Sequence, residues 1–359
     1  KALCTQNLPT PTIGATSATL ANKYFEPTLY TGTNANLTVT NSGGFQPDFI
    51  WIKSRSGVGN PVLANSIGGP NKVMYSSQAT GEETSTAGTG ITAITSTGFT
   101  LGTEIAGTTY GSTNNGTYTY VAWQWRASNA TAVSNTSGSI TSSVSANTTS
   151  GFSVVTYTGN GANSTVGHGI GIAPTMLIIK SRSNVIDWIV GHTSITFGNY
   201  LRLNATDATG SGAVVFNSTA PTSSVFSLGT STGCNTSGAT YVAYCFAPIA
   251  GYSAFGGYTG NGSADGPMIF TNMRPAYMMV KRTDSTGDWY VVDNTRSPSN
   301  VVNLYLAANT SGAEGTYTLC DFLSNGFKMR NTSAEMNASG GSYIYMAFAQ
   351  NPFKYSLAR

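Results

Sequence analysis

Two Asp-Trp pairs are the residues of this chain best suited to hold a ligand. Asp187-Trp188 and Asp288-Trp289 each begin seven residues after a lysine. An indole can stack on a sugar ring while a carboxylate accepts hydrogen bonds from the sugar hydroxyls. In the structural alternative, the aspartate caps a turn and the tryptophan begins a buried strand. We favour that alternative, because the corresponding place in the first part of the chain carries Asn60-Pro61.

Three lysines, each followed closely by an arginine, form the second candidate site. The pairs are Lys53 with Arg55, Lys180 with Arg182, and Lys281 with Arg282. Each lysine ends an apolar run, where a strand is expected to turn into a loop. Such a pair could bind an anionic surface glycan or a carboxylate of a neighbouring chain. We favour a structural interpretation, in which the cations mark where a strand meets water and their aliphatic stems cover the edge of the core.

Residues for acid–base or nucleophilic catalysis are sparse. His168 and His192 are the only histidines, and no Gly-x-Ser-x-Gly motif surrounds a serine. A glycosidase needs two carboxylates in one cleft, and the acids offer no pair that repeats along the chain. The notable acids outside the Asp-Trp pairs are Glu82-Glu83, Glu314, Asp321 and Glu335. We therefore predict no enzymatic activity, no catalytic residue and no cofactor.

The cysteines do not form a metal site. The chain has Cys4, Cys234, Cys245 and Cys320, with no C-x-x-C motif and no histidine at zinc-ligand spacing. Cys245 lies in an apolar run, where a free buried thiol is the first expectation. A disulfide remains an open alternative. We predict that the protein binds no metal.

The composition excludes several classes of protein. Only 9% of the residues are charged and the net charge is +3, which leaves too few cations to follow a nucleic-acid backbone. No stretch approaches the ~18–20 consecutive apolar residues of a membrane span. The chain is rich in Thr and Tyr, which favour strands, and its 42 glycines, with many Asn and Ser, favour turns. We expect neither a nucleic-acid partner nor membrane insertion.

Internal repeats organise the chain. The motif Tyr-Thr-Gly begins at residues 30, 157 and 258, so the steps are 127 and then 101 residues. Pro47, Lys53 and Phe99 return at the same two steps. A fifth block closes each repeat, at residues 119–125, 240–246 and 342–348. Chance does not keep four anchors in register twice, so the sequence predicts three related units.

These repeats fix the predicted domain boundaries. The segment at 128–150 is almost entirely Ser, Thr, Asn, Ala, Gly and Val, and we expect an extended linker that packs against no core. The predicted parts are an N-terminal arm at 1–24, a first repeat at 25–127, this linker, a second repeat at 151–250 and a third at 251–359. We also expect the aromatic residues of Phe353–Arg359 to dock on a neighbouring unit or chain.

Alternation within the closing blocks predicts strands. Val121, Trp123 and Trp125 share one large apolar face, which we expect to point to the core, while the opposite face suits a second sheet or a partner chain. The apolar runs before the three lysines indicate central strands covered on both faces. Short strands separated by Gly, Asn and Ser indicate a sandwich or jelly roll. The predicted fold is all-β, with three tandem β-sandwich or jelly-roll-like repeats of about 100 residues.

The order of the motifs resembles a known family. Tyr-Thr-Gly is followed by Pro-x-x-(apolar)3-Lys-Ser-Arg-Ser, then Gly-Phe-x-Leu-Gly, then Ser-Gly-x-Thr-Tyr-Val-Ala-Tyr. This set resembles a repeated β domain in tail-fibre or fibre-like virion proteins of tailed bacteriophages, especially marine ones. The opening residues 1–9 look like the end of a SPRY, concanavalin-like domain that often precedes such repeats. The third repeat departs most, with Lys281-Arg282-Thr283-Asp284 in place of Lys-Ser-Arg-Ser.

The resemblance implies a non-enzymatic structural protein on the virion surface, forming a homotrimer that displays β domains for host attachment. Its implied partners are other copies of the chain, other virion proteins and a host-surface glycan or protein receptor. A monomeric carbohydrate-binding module or surface adhesin is the alternative, and a polysaccharide-degrading tailspike fits less well. The ten candidate ligand or interface residues are Lys53, Arg55, Lys180, Arg182, Asp187, Trp188, Lys281, Arg282, Asp288 and Trp289.

Overall fold

Antiparallel strands are the main regular structure of the computed structural model, which describes residues 13–14, 17–104 and 112–349. The fold class is all-β and sandwich-like, as the sequence predicts. We refer to residues 25–127, 151–250 and 251–349 as units 1, 2 and 3, using the predicted boundaries as labels. Cys4, most of the predicted N-terminal arm and the predicted docking segment Phe353–Arg359 lie outside the described residues.

Unit 1 follows two short 3-10 helices, Ser17–Thr19 and Ala21–Lys23. Its larger sheet has the order β1-β9-β3-β4-β5-β6, and its smaller sheet has the order β2-β8-β7. The strands are β1 (Phe25–Thr31), β2 (Leu37–Thr40), β3 (Phe49–Ser54), β4 (Val62–Asn65), β5 (Lys72–Tyr75), β6 (Glu83–Thr84), β7 (Ile91–Thr95), β8 (Gly98–Leu101) and β9 (Thr119–Trp125).

Unit 2 and the segment before it form one larger sheet of order β10-β11-β12-β19-β14-β15-β16-β17, with β13 and β18 as a separate pair. The strands are β10 (Val133–Asn135), β11 (Ser142–Asn147), β12 (Phe152–Thr158), β13 (Ser164–Gly167), β14 (Met176–Ser181), β15 (Ile189–His192), β16 (Asn199–Arg202), β17 (Gly210–Ser211), β18 (Val225–Leu228) and β19 (Thr240–Phe246). The helical turns are a 3-10 helix at Thr193–Ile195, α1 (Ala213–Phe216) and α2 (Thr232–Asn235).

Unit 3 joins all its strands in the order β20-β27-β22-β23-β24-β25-β26-β21. The strands are β20 (Ser253–Thr259), β21 (Met268–Phe270), β22 (Pro275–Arg282), β23 (Tyr290–Asp293), β24 (Val302–Ala307), β25 (Gly315–Leu323), β26 (Gly326–Met329) and β27 (Ser342–Ala349).

The same five-strand order occurs in each unit: β1-β9-β3-β4-β5, β12-β19-β14-β15-β16 and β20-β27-β22-β23-β24. The last strand of each unit therefore lies between the first strand and the lysine-bearing strand. The two neighbouring strands satisfy the backbone hydrogen bonds of this strand, and both of its faces can be buried. This position agrees with the burial of nearly every residue of the closing strands.

The Tyr-Thr-Gly motif has a packing function. In unit 2 the Tyr157 ring stacks on Tyr241 of the closing strand at a centroid distance of 5.2 Å, and units 1 and 3 contain the same pair at 5.0 and 4.9 Å. The motif glycine lies against backbone, because a Cβ on Gly159 would be 2.4 Å from the carbonyl oxygen of Thr236. Close approach of two chain segments thus requires glycine at this position.

The large apolar faces of the three closing strands meet in a core shared by all three units. Trp125, Phe246 and Phe348 occupy the same place in their strands, and each touches the other two, with ring centroids 5.8 to 6.2 Å apart. The three units are therefore arranged cyclically around this aromatic triangle. The opposite faces of β9 and β19 pack inside their own units, on separate cores. The predicted core face thus points to a shared core, and the other face packs inside the unit, as expected for a second sheet.

The predicted linker at 128–150 is not a free connector. Val133–Asn135 and Ser142–Asn147 form strands that extend the sheet of unit 2, where Val144 is buried. Asp48 of unit 1 anchors the segment by accepting hydrogen bonds from the Ala127 amide at 2.6 Å and from Ser145 Oγ at 3.2 Å. Strand pairing satisfies the backbone of this Ser-rich segment, so it can join a sheet although its side chains supply little apolar surface.

Candidate functional site

The three candidate lysines lie at the three junctions between units. Lys53 Nζ of unit 1 donates to the Thr310 carbonyl of unit 3 at 2.7 Å. Lys180 of unit 2 donates to Ala79 of unit 1 at 2.9 Å. Lys281 of unit 3 donates to the Thr206 carbonyl of unit 2 at 3.0 Å. The contacts run in one direction around the ring, so each unit inserts its lysine into the unit before it in cyclic order.

These lysines are buried, with side chains at most 1% exposed. Each Nζ also donates to a second carbonyl, and the structure shows no carboxylate in ion-pair contact with any of the three within the described residues. Burial lowers the pKa of Lys53 to about 7 and those of Lys180 and Lys281 to about 8. The interpretation of these cations as residues that meet water is therefore wrong for the lysines. Their amines bind the neighbouring unit.

Arg55 and Arg182 form ion pairs across two of the junctions. Arg55 of unit 1 contacts Glu314 of unit 3 at 2.8 Å, through two guanidinium nitrogens. Arg182 of unit 2 contacts Glu82 of unit 1 in the same way, also at 2.8 Å. Both arginines are about one-fifth exposed and both acids are more buried. The sequence allows a carboxylate of a neighbouring chain as the partner of these cations; in the structure the carboxylate belongs to another unit of the same chain.

Arg282 is not the counterpart of Arg55 and Arg182. The amides of Arg55 and Arg182 bond the first residue of their closing strands, and in unit 3 Thr283 makes this bond, to the Ser342 carbonyl at 2.8 Å. Thr209 of unit 2 donates its amide to the Thr283 carbonyl, as Glu82 does to Arg182. Arg282 instead pairs with Asp284 inside unit 3 at 2.9 Å. The third junction therefore replaces an Arg–Glu pair with two threonines.

The Asp-Trp pairs serve the same junctions. Trp188 and Trp289 are fully buried, so neither indole offers a face for a sugar. Trp188 Nε1 donates to the Tyr75 carbonyl of unit 1, and Trp289 Nε1 donates to the Arg202 carbonyl of unit 2, both at 2.9 Å.

The aspartates of these pairs hold the turn in front of each tryptophan. Asp187 accepts a hydrogen bond from Nδ2 of Asn204, and Oδ1 of Asn204 accepts one from the backbone N–H of Trp188. Asn309 links Asp288 and Trp289 in the same way. The structure agrees with the structural interpretation of both pairs.

The junction between units 1 and 3 contains an additional charged network. Arg296 donates to Asp293 at 2.6 Å, and both side chains are fully buried. Arg296 also contacts Glu314 at 3.1 Å, and so connects to the Arg55 pair. Trp123 of unit 1 donates its indole N–H to Asp293 at 3.0 Å. Every member of this buried network has a partner, as a buried charge requires.

Sequence reasoning missed one asparagine that recurs in every unit: Asn114, Asn235 and Asn337. Each is buried, donates through Nδ2 to backbone carbonyls and accepts an amide hydrogen bond through Oδ1. This amide belongs to the residue directly after the Tyr-Thr-Gly motif, for instance Asn160 in unit 2. Its spacing of six residues before the closing-strand tyrosine is the signal that could have found it.

Both histidines and the three cysteines that the structure describes are buried. His168 accepts the Ile170 amide at Nδ1 and contacts the Thr222 carbonyl through Nε2 at 3.1 Å. His192 accepts the Ser194 amide, and burial lowers its pKa to about 4. Cys245 is a free buried thiol, as expected, and burial raises its pKa to about 12. The described residues contain no cluster of His, Cys, Asp or Glu that could hold a metal ion.

A family model described as a domain of unknown function, DUF7483, matches residues 21–352. The chain belongs to the DUF7483 family. The match extends across residues of all three units. No curated protein matches this DUF7483 chain. Within its described residues, no helix has the length and apolar character needed to cross a membrane.

Proposed function

We propose that this protein is a non-enzymatic structural and adhesive protein of a virion, a bacteriophage tail fibre or fibre-like appendage that displays β domains for host attachment. One observation carries the proposal: the three repeated lysines, Arg55, Arg182 and the indoles of the two Asp-Trp pairs join three β units into one body. A body held by buried contacts at every junction suits a protein that must present a surface and resist load. The Lys-Ser-Arg-Ser motif, which is part of the resemblance to phage fibre proteins, contains the junction residues Lys53 and Arg55 of unit 1 and Lys180 and Arg182 of unit 2.

Labelling of particles tests the virion assignment. Antibodies raised against the chain are expected to decorate intact virus particles of the same source, at an appendage, in electron micrographs. Fluorescently labelled chain is expected to bind the surface of the host cell in the absence of virus. Particles that stay unlabelled, while a capsid antibody labels them, would contradict the assignment to the virion surface.

A monomeric surface adhesin is the second candidate, and one observation favours it. The three junctions are complete within a single chain, so no second chain is required to bury Lys53, Lys180 or Lys281. Light scattering separates the two candidates. A mass of three times the 37.3 kDa chain supports the homotrimeric fibre, in which each chain contributes three units. A mass of one chain supports the adhesin.

A further inference from the structure

A cavity of about 250 Å³ opens at the junction between units 1 and 3. Its walls come from both units: Phe25, Glu26, Pro27 and Ser42 on one side, and Asn294 and Thr295 on the other. The volume exceeds the ~150 Å³ of a cavity that holds benzene and lies below the ~300–1,000 Å³ of pockets for drug-sized ligands. A single six-membered ring with its substituents is the size of ligand that fits.

The cavity lies at a loop of unit 3 that carries polar residues, whereas the corresponding loops of units 1 and 2 each carry an isoleucine. The loop after β4 places Ile67, and the loop after β15 places Ile195, partly buried against the shared core. The corresponding loop after β23 carries Asn294 and Thr295, and these residues line the cavity. Thr295 is two residues beyond the end of its strand, as Ile67 is beyond the end of β4. At the junction between units 1 and 3, the polar residues Asn294 and Thr295 thus lie in the loop that carries Ile67 in unit 1 and Ile195 in unit 2.

The lining combines an apolar surface with hydrogen-bond acceptors. Glu26 Oε1 accepts the Ser42 amide at 2.8 Å, and Oε2 accepts the Gly43 amide at 2.7 Å and the Ser42 hydroxyl at 2.9 Å. This carboxylate is therefore fixed in place, and Oε1 keeps capacity for another donor. Within the part of the chain that the structure describes, no lysine or arginine pairs with Glu26. The nearest described cation is Lys23, whose Nζ donates to the Gly43 carbonyl at 2.8 Å and not to the carboxylate, so among the residues that line the cavity Glu26 is the charged one.

We propose that this cavity binds one neutral or amine-bearing sugar ring of a surface glycan. A sugar hydroxyl or ammonium group donates to Glu26, Asn294 and Thr295 bond hydroxyls at the rim, and the apolar C–H face of the ring lies against Phe25 and Pro27. An acidic sugar is disfavoured because its carboxylate would approach Glu26. The inference rests on the proposed attachment function, for which it names a ligand class and a site.

Thr295→Ile is the decisive variant, because it adds at this junction the side chain that Ile67 supplies at another. Thr193→Ile is its matched control, since Thr193 is an exposed residue in the equivalent loop of unit 2, outside the cavity. The full chain is titrated by calorimetry with glucose, galactose, mannose, glucosamine and glucuronate. We expect at least one neutral or amino sugar to bind, Thr295→Ile to weaken it by about tenfold or more, and Thr193→Ile to leave it unchanged. Glucuronate is expected to bind about tenfold more weakly than glucose, and Glu26→Gln to reduce that difference.

Attachment of the same variants to host cells separates the site from the function. Sugar binding that Thr295→Ile does not weaken, or no binding by any sugar of the panel, overturns the site. Cell attachment that persists unchanged in Thr295→Ile overturns the site as well and leaves the proposed function standing. A chain that binds sugar through this cavity and attaches to no host cell supports the site and overturns the proposed function.

Discussion

Replacing Lys53 by methionine should change how the stability of the protein depends on pH. Lys53 is buried, its pKa is lowered to about 7 by burial, and its Nζ bonds only carbonyl oxygens. In the unfolded chain a lysine titrates near ~10.4. Between these two values the unfolded state binds more protons than the folded state, so the free energy of unfolding rises with pH. Methionine has a similar length and removes this titration.

The magnitude follows from proton linkage. At pH 7 the folded protein binds half a proton at Lys53, and by pH 9 it binds almost none, while the unfolded chain keeps nearly a full proton throughout. One pKa unit corresponds to about 1.4 kcal/mol, so Lys53 should contribute about 2 kcal/mol of added stability between pH 7 and pH 9. Lys180 and Lys281, with pKa values of about 8, should contribute about 1 kcal/mol each over the same interval.

Chemical unfolding at a series of pH values measures this effect. Guanidinium unfolding curves, followed by tryptophan fluorescence, are recorded at pH 7, 8 and 9 for the wild type, Lys53→Met and Lys180→Met. The gain in unfolding free energy from pH 7 to 9 should be smaller by about 2 kcal/mol in Lys53→Met and by about 1 kcal/mol in Lys180→Met. The cysteine thiols of the unfolded chain titrate near ~8.5, and because this contribution is the same in every variant, it cancels in the comparison. If Lys53→Met keeps the whole pH dependence of the wild type, the amine is not buried as described and the reasoning fails.

Three further experiments test the junctions and the repeated motif. Thr283→Arg combined with Thr209→Glu should create the missing third ion pair, with a coupling free energy of about 1 kcal/mol in a double-mutant cycle and none if the two sites are not adjacent. Gly159→Ala should destabilise by about 1–3 kcal/mol because its Cβ would press on a backbone oxygen, whereas Gly198→Ala, with no atom closer than 3.6 Å, should be tolerated in the same denaturation assay. Trp188→Phe should cost about 1 kcal/mol through loss of the indole hydrogen bond across the junction, and an unchanged midpoint of unfolding would contradict that bond.

Periodicity was sufficient to predict the fold class and the strands at the centre of each unit. The alternation in the closing blocks identified a large apolar face, and Trp125 does lie in a core. Alternation gives the direction of a side chain relative to its sheet and carries no information about which unit covers that face. The sequence pattern therefore could not predict that the three units share one core. The segment at 128–150 was misjudged for a related reason, because composition reports side-chain burial and not backbone pairing.

The contacts at the junctions join residues that are far apart along the chain, so they could not be predicted from the sequence. Arg182 and Glu82 are separated by 100 residues, and Arg55 and Glu314 by 259, so no local pattern connects them. The sequence did contain one usable signal in the third repeat. Arg282 follows its lysine by one residue, whereas the other two arginines follow by two, and a shift of one residue moves a strand side chain to the opposite face. This difference of one residue in the Lys-to-Arg spacing is enough to distinguish Arg282 from Arg55 and Arg182.

The three junctions differ from one another, and this difference favours closure within a single chain. Head-to-tail contacts between similar units can close into a ring or continue as an open filament or a domain swap. Here unit 2 meets unit 1 through Arg182 and Glu82, and unit 3 meets unit 2 through two threonines. Unit 1 meets unit 3 through Arg55 and the network that includes the buried Asp293–Arg296 pair.

A unit placed at the wrong junction would leave an arginine or a glutamate without its partner, and such a loss costs more when the group is buried. The charged network lies at the junction between the first and last units, the two that are most distant along the chain. Closing that long loop carries the largest entropic cost of the three junctions. The charged network thus lies at the junction whose closure costs the most entropy. There it favours closure within one chain over exchange of units between chains.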